Sequence, residues 1–130
     1  MNRFIHYIPA LAWAFVILIG TLMPAQALPP PPKLDLLTFD SLAHALLFGI
    51  LILLSFYGFR RDPGIVLTKG IATGIFLLSI LFGIVIELLQ GAMSLGRSPE
   101  MSDVLSNCIG CLLGLALWPF VSRLLFRNQA

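Results

Sequence analysis

Four long apolar runs separated by short polar breaks set the pattern of this chain. They cover about residues 5–23, 41–59, 70–91 and 102–125. Each approaches the roughly 20 mostly apolar residues that a helix needs to cross a hydrocarbon core about 30 Å thick. None alternates with period two, so a β-barrel is disfavoured. The pattern predicts an all-α membrane protein, a four-transmembrane-helix bundle forming one integral membrane domain over residues 1–130.

The breaks have their own chemistry. Pro24 and the run Pro29 to Pro32 cannot continue a helix, so residues 24–40 read as an extended, Pro-rich loop. Arg60, Arg61, Asp62, Pro63 and Gly64 read as a tight polar turn. In the last break, Ser98 before Pro99 reads as a helix N-cap with proline at the first helical position. Ala25-Gln26-Ala27 has the form of a signal-peptidase site. The apolar run before it is about 19 residues, however, and a signal core is about 7–15, so a retained anchor is expected.

Basic residues give an orientation. With four spans, the N-terminus, the middle loop and the C-terminus share a side, and that side holds Arg3, Arg60, Arg61, Lys69, Arg123 and Arg127. The opposite side holds only Lys33 and Arg97. The bias predicts N-in/C-in, with the Pro-rich loop and the loop around residues 96–100 facing outward.

Composition sharpens this reading. Apolar residues make up 58% of the chain and charged residues 11%, which excludes a disordered protein and disfavours a water-soluble one. The net charge of +2 is small and forms no basic patch interleaved with aromatics, so no nucleic-acid partner is expected. Cys108 and Cys111 spell C-x-x-C inside an apolar helix, with no second pair to exchange electrons, and are read as packing. Trp13, Trp118 and Tyr57 read as apolar bulk or interfacial anchors, and His6 and Tyr7 carry no constellation.

With so few charges, those inside the apolar runs need an account, because each costs roughly 2.5–3.5 kcal/mol at the middle of a bilayer. Asp40, His44 and Phe48 recur every four residues and share a face of the second helix. Ser79, Gly83, Glu87, Gln90 and Ser94 form a stripe on the third, and Asp103, Asn107, Gly110 and Gly114 a stripe on the fourth. Asp40, His44, Glu87, Gln90, Asp103 and Asn107 lie at the outward ends of their helices, and Arg97 lies in the loop joining two of them. They predict one buried polar cluster at the level of the outer leaflet. Gly110 and Gly114 form a GxxxG pattern, and Gly70, Gly74 and Gly83 are expected to give the third helix a smooth packing face. Blunter roles stand beside this: Asp40 as a helix cap, Gln90 and Asn107 as interhelical ties. Asp103, about five residues past Ser98, is expected to lie too deep to cap.

Taken together, Asp40-Ser-Leu-Ala-His44 with Phe48, Glu87-Leu-Leu-Gln90, Gly96-Arg97-Ser98, Asp103, Asn107, Gly110 and Gly114 resemble the VanZ-like family of small bacterial membrane proteins. That family's pattern is D-K-x-x-H-x-x-x-F, then E-x-x-Q, then G-R-S followed by D-x-x-x-N-x-x-G. Ser41 departs from it, standing where the family often has lysine. The family is named for a protein linked to resistance to the glycopeptide teicoplanin. The resemblance implies a multi-pass protein of the bacterial cytoplasmic membrane with a role in the cell envelope or in antibiotic resistance.

The expected ligand-binding set is Asp40, His44, Glu87, Gln90, Arg97, Asp103 and Asn107. Its expected partners are the lipid bilayer and an envelope lipid, a lipid-linked wall precursor or a glycopeptide. The alternative is a membrane-embedded enzyme acting on an envelope lipid by acid/base or metal-assisted chemistry, with His44, Glu87 and Asp103 as candidate catalytic groups. In that alternative Asp40, His44, Glu87 and Asp103 offer imidazole and carboxylate ligands for a divalent metal, but neither H-x-x-E-H nor H-E-x-x-H occurs, so no metal or other cofactor is expected. Ion conduction is disfavoured, because the inward halves of the helices carry no relay groups. Four helices of this size bury little surface in lipid, which leaves room for a homodimer.

Overall fold

A computed structural model describes residues 2–27, 29, 39–94, 96 and 98–127. Most of the Pro-rich loop, with Lys33, and the loop residue Arg97 lie outside the described residues. Four α-helices make up the fold, α1 (Ile8–Leu22), α2 (Phe39–Arg61), α3 (Lys69–Met93) and α4 (Met101–Leu125). Short 3-10 turns at Arg3–His6 and Ala25–Ala27 flank α1, and the described residues include no strand. α2, α3 and α4 are each long and apolar enough to cross a membrane, while α1, at 15 residues, is shorter. Leucines such as Leu78, Leu88, Leu112 and Leu117 stand exposed along these helices. A membrane supplies the apolar surroundings that such a surface needs.

The close contact of the bundle runs between α2 and α4, which lie parallel. Gly49 faces Gly110, Ile52 faces Gly114 and Phe56 meets Trp118 edge-on at 5.6 Å. A methyl group on Gly110 would overlap the carbonyl oxygen of Ala45, and one on Gly114 would lie 2.7 Å from that of Gly49. Lipid tails are as apolar as leucine, so such close backbone approach, rather than water exclusion, holds membrane helices together. Beneath it Ile17, Phe48, Leu51, Ile52, Phe56, Ile86 and Cys111 form the core. Cys111 is thus a packing residue, and neither cysteine is in a disulfide. Gly70 and Gly74 do not pack as the sequence suggests. A side chain on Gly74 would meet nothing within 4 Å, and one on Gly70 would touch only Thr68.

α1 runs antiparallel to α2 and is tied by directional bonds. The Trp13 indole N–H donates to the Leu47 carbonyl at 2.9 Å. At the end of α1, where the last helical carbonyls have no partner in the helix, the Gln90 amide donates to the Thr21 carbonyl at 2.6 Å.

The basic end of the bundle is closed by Asp62. Its carboxylate accepts from the Tyr7 hydroxyl at 2.8 Å and from the Gly64 backbone N–H at 2.9 Å, and pairs with Arg3 at 3.3 Å. Tyr7, read from sequence as carrying no constellation, therefore anchors the N-terminal segment to the α2–α3 turn. These contacts, the Gly64 N–H first and the Tyr7 hydroxyl next, hold the Asp62 carboxyl below its ordinary range.

α3 starts with Thr68, whose hydroxyl accepts from the Ile71 N–H, and ends at Ser94 in the left-handed region with φ 51°. α4 does not start at Pro99 as the sequence suggests, but at Met101, with Glu100 as its N-cap residue. Pro99 packs against Gly91 instead, where any side chain would come within 3.2 Å of its ring. Asp103 consequently lies in the first turn of α4, where the helix dipole favours a carboxylate.

Two outcomes are expected. Gly110→Ala should cost about 1–3 kcal/mol, because the clash is with backbone, whereas Gly74→Ala should be neutral or gain up to about 1 kcal/mol of helix propensity; thermal unfolding in detergent compares them. A carboxyl held low in the folded state stabilises fully above the unfolded value of about 4 and loses that contribution as pH falls through the folded value. Wild-type stability should therefore drop on acidification from about pH 4 downward, and Asp62→Asn should be less stable at neutral pH and lack that part of the drop.

Candidate functional site

At the other end of the bundle the polar stripes meet. His44 comes from α2, Glu87 from α3, and Asp103 and Asn107 from α4, all buried. His44 is 2% exposed and Asn107 1%. His44 lies one turn after the start of the helix face that carries Asp40 and Phe48. Glu87 lies one helical step from Gly83, and Asp103 one step before Asn107, so the spacing that made the stripes is what makes them converge.

The geometry fixes hydrogen-bonding roles. His44 Nδ1 lies 3.0 Å from Asn107 Oδ1. An amide oxygen only accepts, so Nδ1 carries a proton, and the nitrogen left to bind another group is Nε2. That Nε2 has no hydrogen-bond partner among the described residues and stands 3.8 Å from Asp103 Oδ2. Asn107 is seated by Gly83: a side chain there would come within 2.6 Å of the Asn107 amide nitrogen. Glu87 Oε2 accepts from the Glu100 backbone N–H at 3.1 Å, which ties α3 to the start of α4. One donor atom each from His44, Glu87 and Asp103 lies within 4.8 Å of the others. Two carboxylates and an imidazole thus share one buried site.

Beside the cluster, a cleft of about 460 Å³ runs between α3 and α4. Ile84, Leu88, Met101 and Val104 give it apolar walls, and Glu87 and Glu100 also line it. Leu88 and Met101 are exposed, so the cleft opens on the outer side of the bundle. Its volume falls in the range of about 300–1,000 Å³ typical of small-molecule pockets.

The structure thus joins His44, Glu87, Asp103 and Asn107, and places Gln90 and Asp40 differently. Gln90 is buried, but its amide nitrogen serves Thr21. Asp40 is exposed in the first turn of α2, one turn from His44, rather than buried with the cluster. Arg97 lies outside the described residues. Sequence reasoning missed Glu100, whose contribution is a backbone N–H with no side-chain signature, and Thr21, which contributes only a carbonyl.

All of these residues lie within residues 3–123, the segment that matches the family described as VanZ/LLP1. No curated protein and no solved structure matches the chain. With the match covering nearly its whole length, this four-helix membrane protein belongs to the VanZ/LLP1 family.

Proposed function

We propose that this protein binds an envelope lipid or a lipid-linked wall precursor in the bacterial cytoplasmic membrane, with both termini cytoplasmic and the polar cluster toward the outer leaflet. The observation that carries this reading is the apolar cleft between α3 and α4, which opens on the outer side of the bundle and has Glu87 in its wall. An acyl chain entering from the bilayer fits such walls. Its head group then meets Glu87, and behind it Asp103, His44 and Asn107. The carboxylates suit an ammonium or hydroxyl-bearing head group. The six-to-two distribution of basic residues supports the orientation. A teicoplanin-resistance role would follow if the bound lipid is one that the drug's target pathway uses.

One observation favours the enzymatic alternative. Asn107 accepts from His44 Nδ1–H, which leaves Nε2 as the nitrogen available to act as a general base, next to two carboxylates. In that reading the same bound lipid is the substrate.

Native mass spectrometry of protein released from membranes tests lipid binding. Wild type should retain a lipid. Val104→Trp, which fills the cleft, should lose it, and Glu87→Gln should weaken retention by roughly ten- to a hundredfold, the loss of a hydrogen bond to a charged group. Equal retention by all three proteins rejects the cleft as the binding site. In a glycopeptide-sensitive Gram-positive host, wild type should raise teicoplanin tolerance several-fold and Glu87→Gln should abolish the rise at matched membrane levels; no protection by wild type removes the resistance role.

A further inference from the structure

We infer that His44, Glu87 and Asp103 form a three-ligand site for a divalent transition-metal ion of the zinc class. The inference stands on the trio itself and does not require a lipid in the cleft.

Three observations converge. The first is composition and placement. One imidazole nitrogen and two carboxylate oxygens, from three different helices, lie within 4.8 Å of one another. Zinc takes nitrogen and oxygen ligands at about 2.0–2.2 Å, which puts tetrahedral ligand atoms about 3.3–3.6 Å apart. His44 Nε2 and Asp103 Oδ2, at 3.8 Å, are already near that spacing, and a contraction of about an ångström by side-chain rotation brings in the remainder.

The second is the state of His44. Its Nε2 is buried and has no hydrogen-bond partner among the described residues, while its Nδ1–H is held by Asn107. A metal-binding histidine almost always donates its other N–H in this way, which fixes the tautomer and turns the ring toward the ion. Asn107 is in turn seated against Gly83.

The third is ligand type. A mixed imidazole and carboxylate set suits zinc, manganese or iron better than calcium or magnesium, which prefer all-oxygen shells. Three protein ligands leave a fourth position open, the arrangement of catalytic rather than purely structural zinc sites. Glu87 belongs both to the trio and to the wall of the cleft, so the ion would lie beside whatever the cleft holds.

The test uses the full-length protein in detergent, stripped with chelator and titrated with Zn²⁺ alone and with Co²⁺ as a spectroscopic probe. One equivalent of Zn²⁺ should bind per chain. Co²⁺ should give visible ligand-field bands without the near-ultraviolet thiolate band that ligation by Cys108 and Cys111 would produce. Asn107→Ala should weaken Zn²⁺ binding about 10–100-fold, the usual cost of losing an outer-shell partner. His44→Gln and Asp103→Asn should weaken it further. No binding above a protein-free detergent blank, a thiolate band, or unchanged binding in well-folded Asp103→Asn would each overturn the assignment. Should His44→Gln not fold, wild-type stoichiometry and the Co²⁺ spectrum still decide. Lipid retention is measured separately, so metal binding without lipid, or the reverse, separates this inference from the proposed function.

Discussion

Gly110 lies so close to α2 that its Cα hydrogen occupies the space where any side chain would meet the Ala45 carbonyl. The rest of the bundle depends on that approach. Lipid gives two apolar helices little reason to prefer each other over acyl chains, so pairing has to come from backbone proximity and directional polar bonds. Gly49, Gly110 and Gly114 supply the first along α2 and α4. The distance they set between the axes lets the Asn107 amide reach His44 one turn above. A wider separation would leave two buried polar side chains short of each other, in a medium where an unmade hydrogen bond is costly. Packing and site are therefore one arrangement read at two heights of the same helix pair.

The two ends of the molecule manage polar groups differently. At the basic end, Asp62 has its partners supplied locally, from Arg3, Tyr7 and the Gly64 N–H, and its work is to hold the N-terminal segment against the turn. At the other end, Glu87 is met by the start of α4 through the Glu100 N–H, and His44 Nε2 faces Asp103 without a hydrogen bond among the described residues. An arrangement built only for stability would replace such a group by a well-packed apolar one at little loss. Keeping an imidazole and two carboxylates together against that pressure is what supports the proposed ligand site, whereas the Asp62 knot holds the N-terminal segment to the turn.

Much of this was legible in the residue pattern, because helical periodicity is simple. Glu87, Asp103, Asn107 and His44 could be put on common faces by counting threes and fours, and the all-α membrane class follows from the long apolar runs. What failed to show was set by contacts distant in sequence or made by backbone. Pro99 after Ser98 looks like a helix start, yet Gly91 offers the proline ring a seat on α3, and α4 begins two residues later. Gln90 reads as a site residue because its spacing matches Glu87, but the carbonyl it serves belongs to Thr21, 69 residues away. Gly74 looks like the other glycines, and only the absence of a neighbour within 4 Å separates it from Gly110. The pairing of Tyr7 with Asp62 joins a span edge to a turn, and no periodicity links them.

The parallel α2–α4 pair also sets a timetable for biogenesis. His44 and Asn107 are 63 residues apart, so at about 5–20 residues per second α2 waits roughly 3–13 s in or near the membrane before its partner is made. Throughout that interval α2 carries an unmatched histidine near its end, close enough to the head groups for water to serve it. α3 has to insert and turn back before α4 can lie along α2. The site consequently waits for α4, and a chain halted before α4 lacks the glycine contact and two of the four polar groups, Asp103 and Asn107.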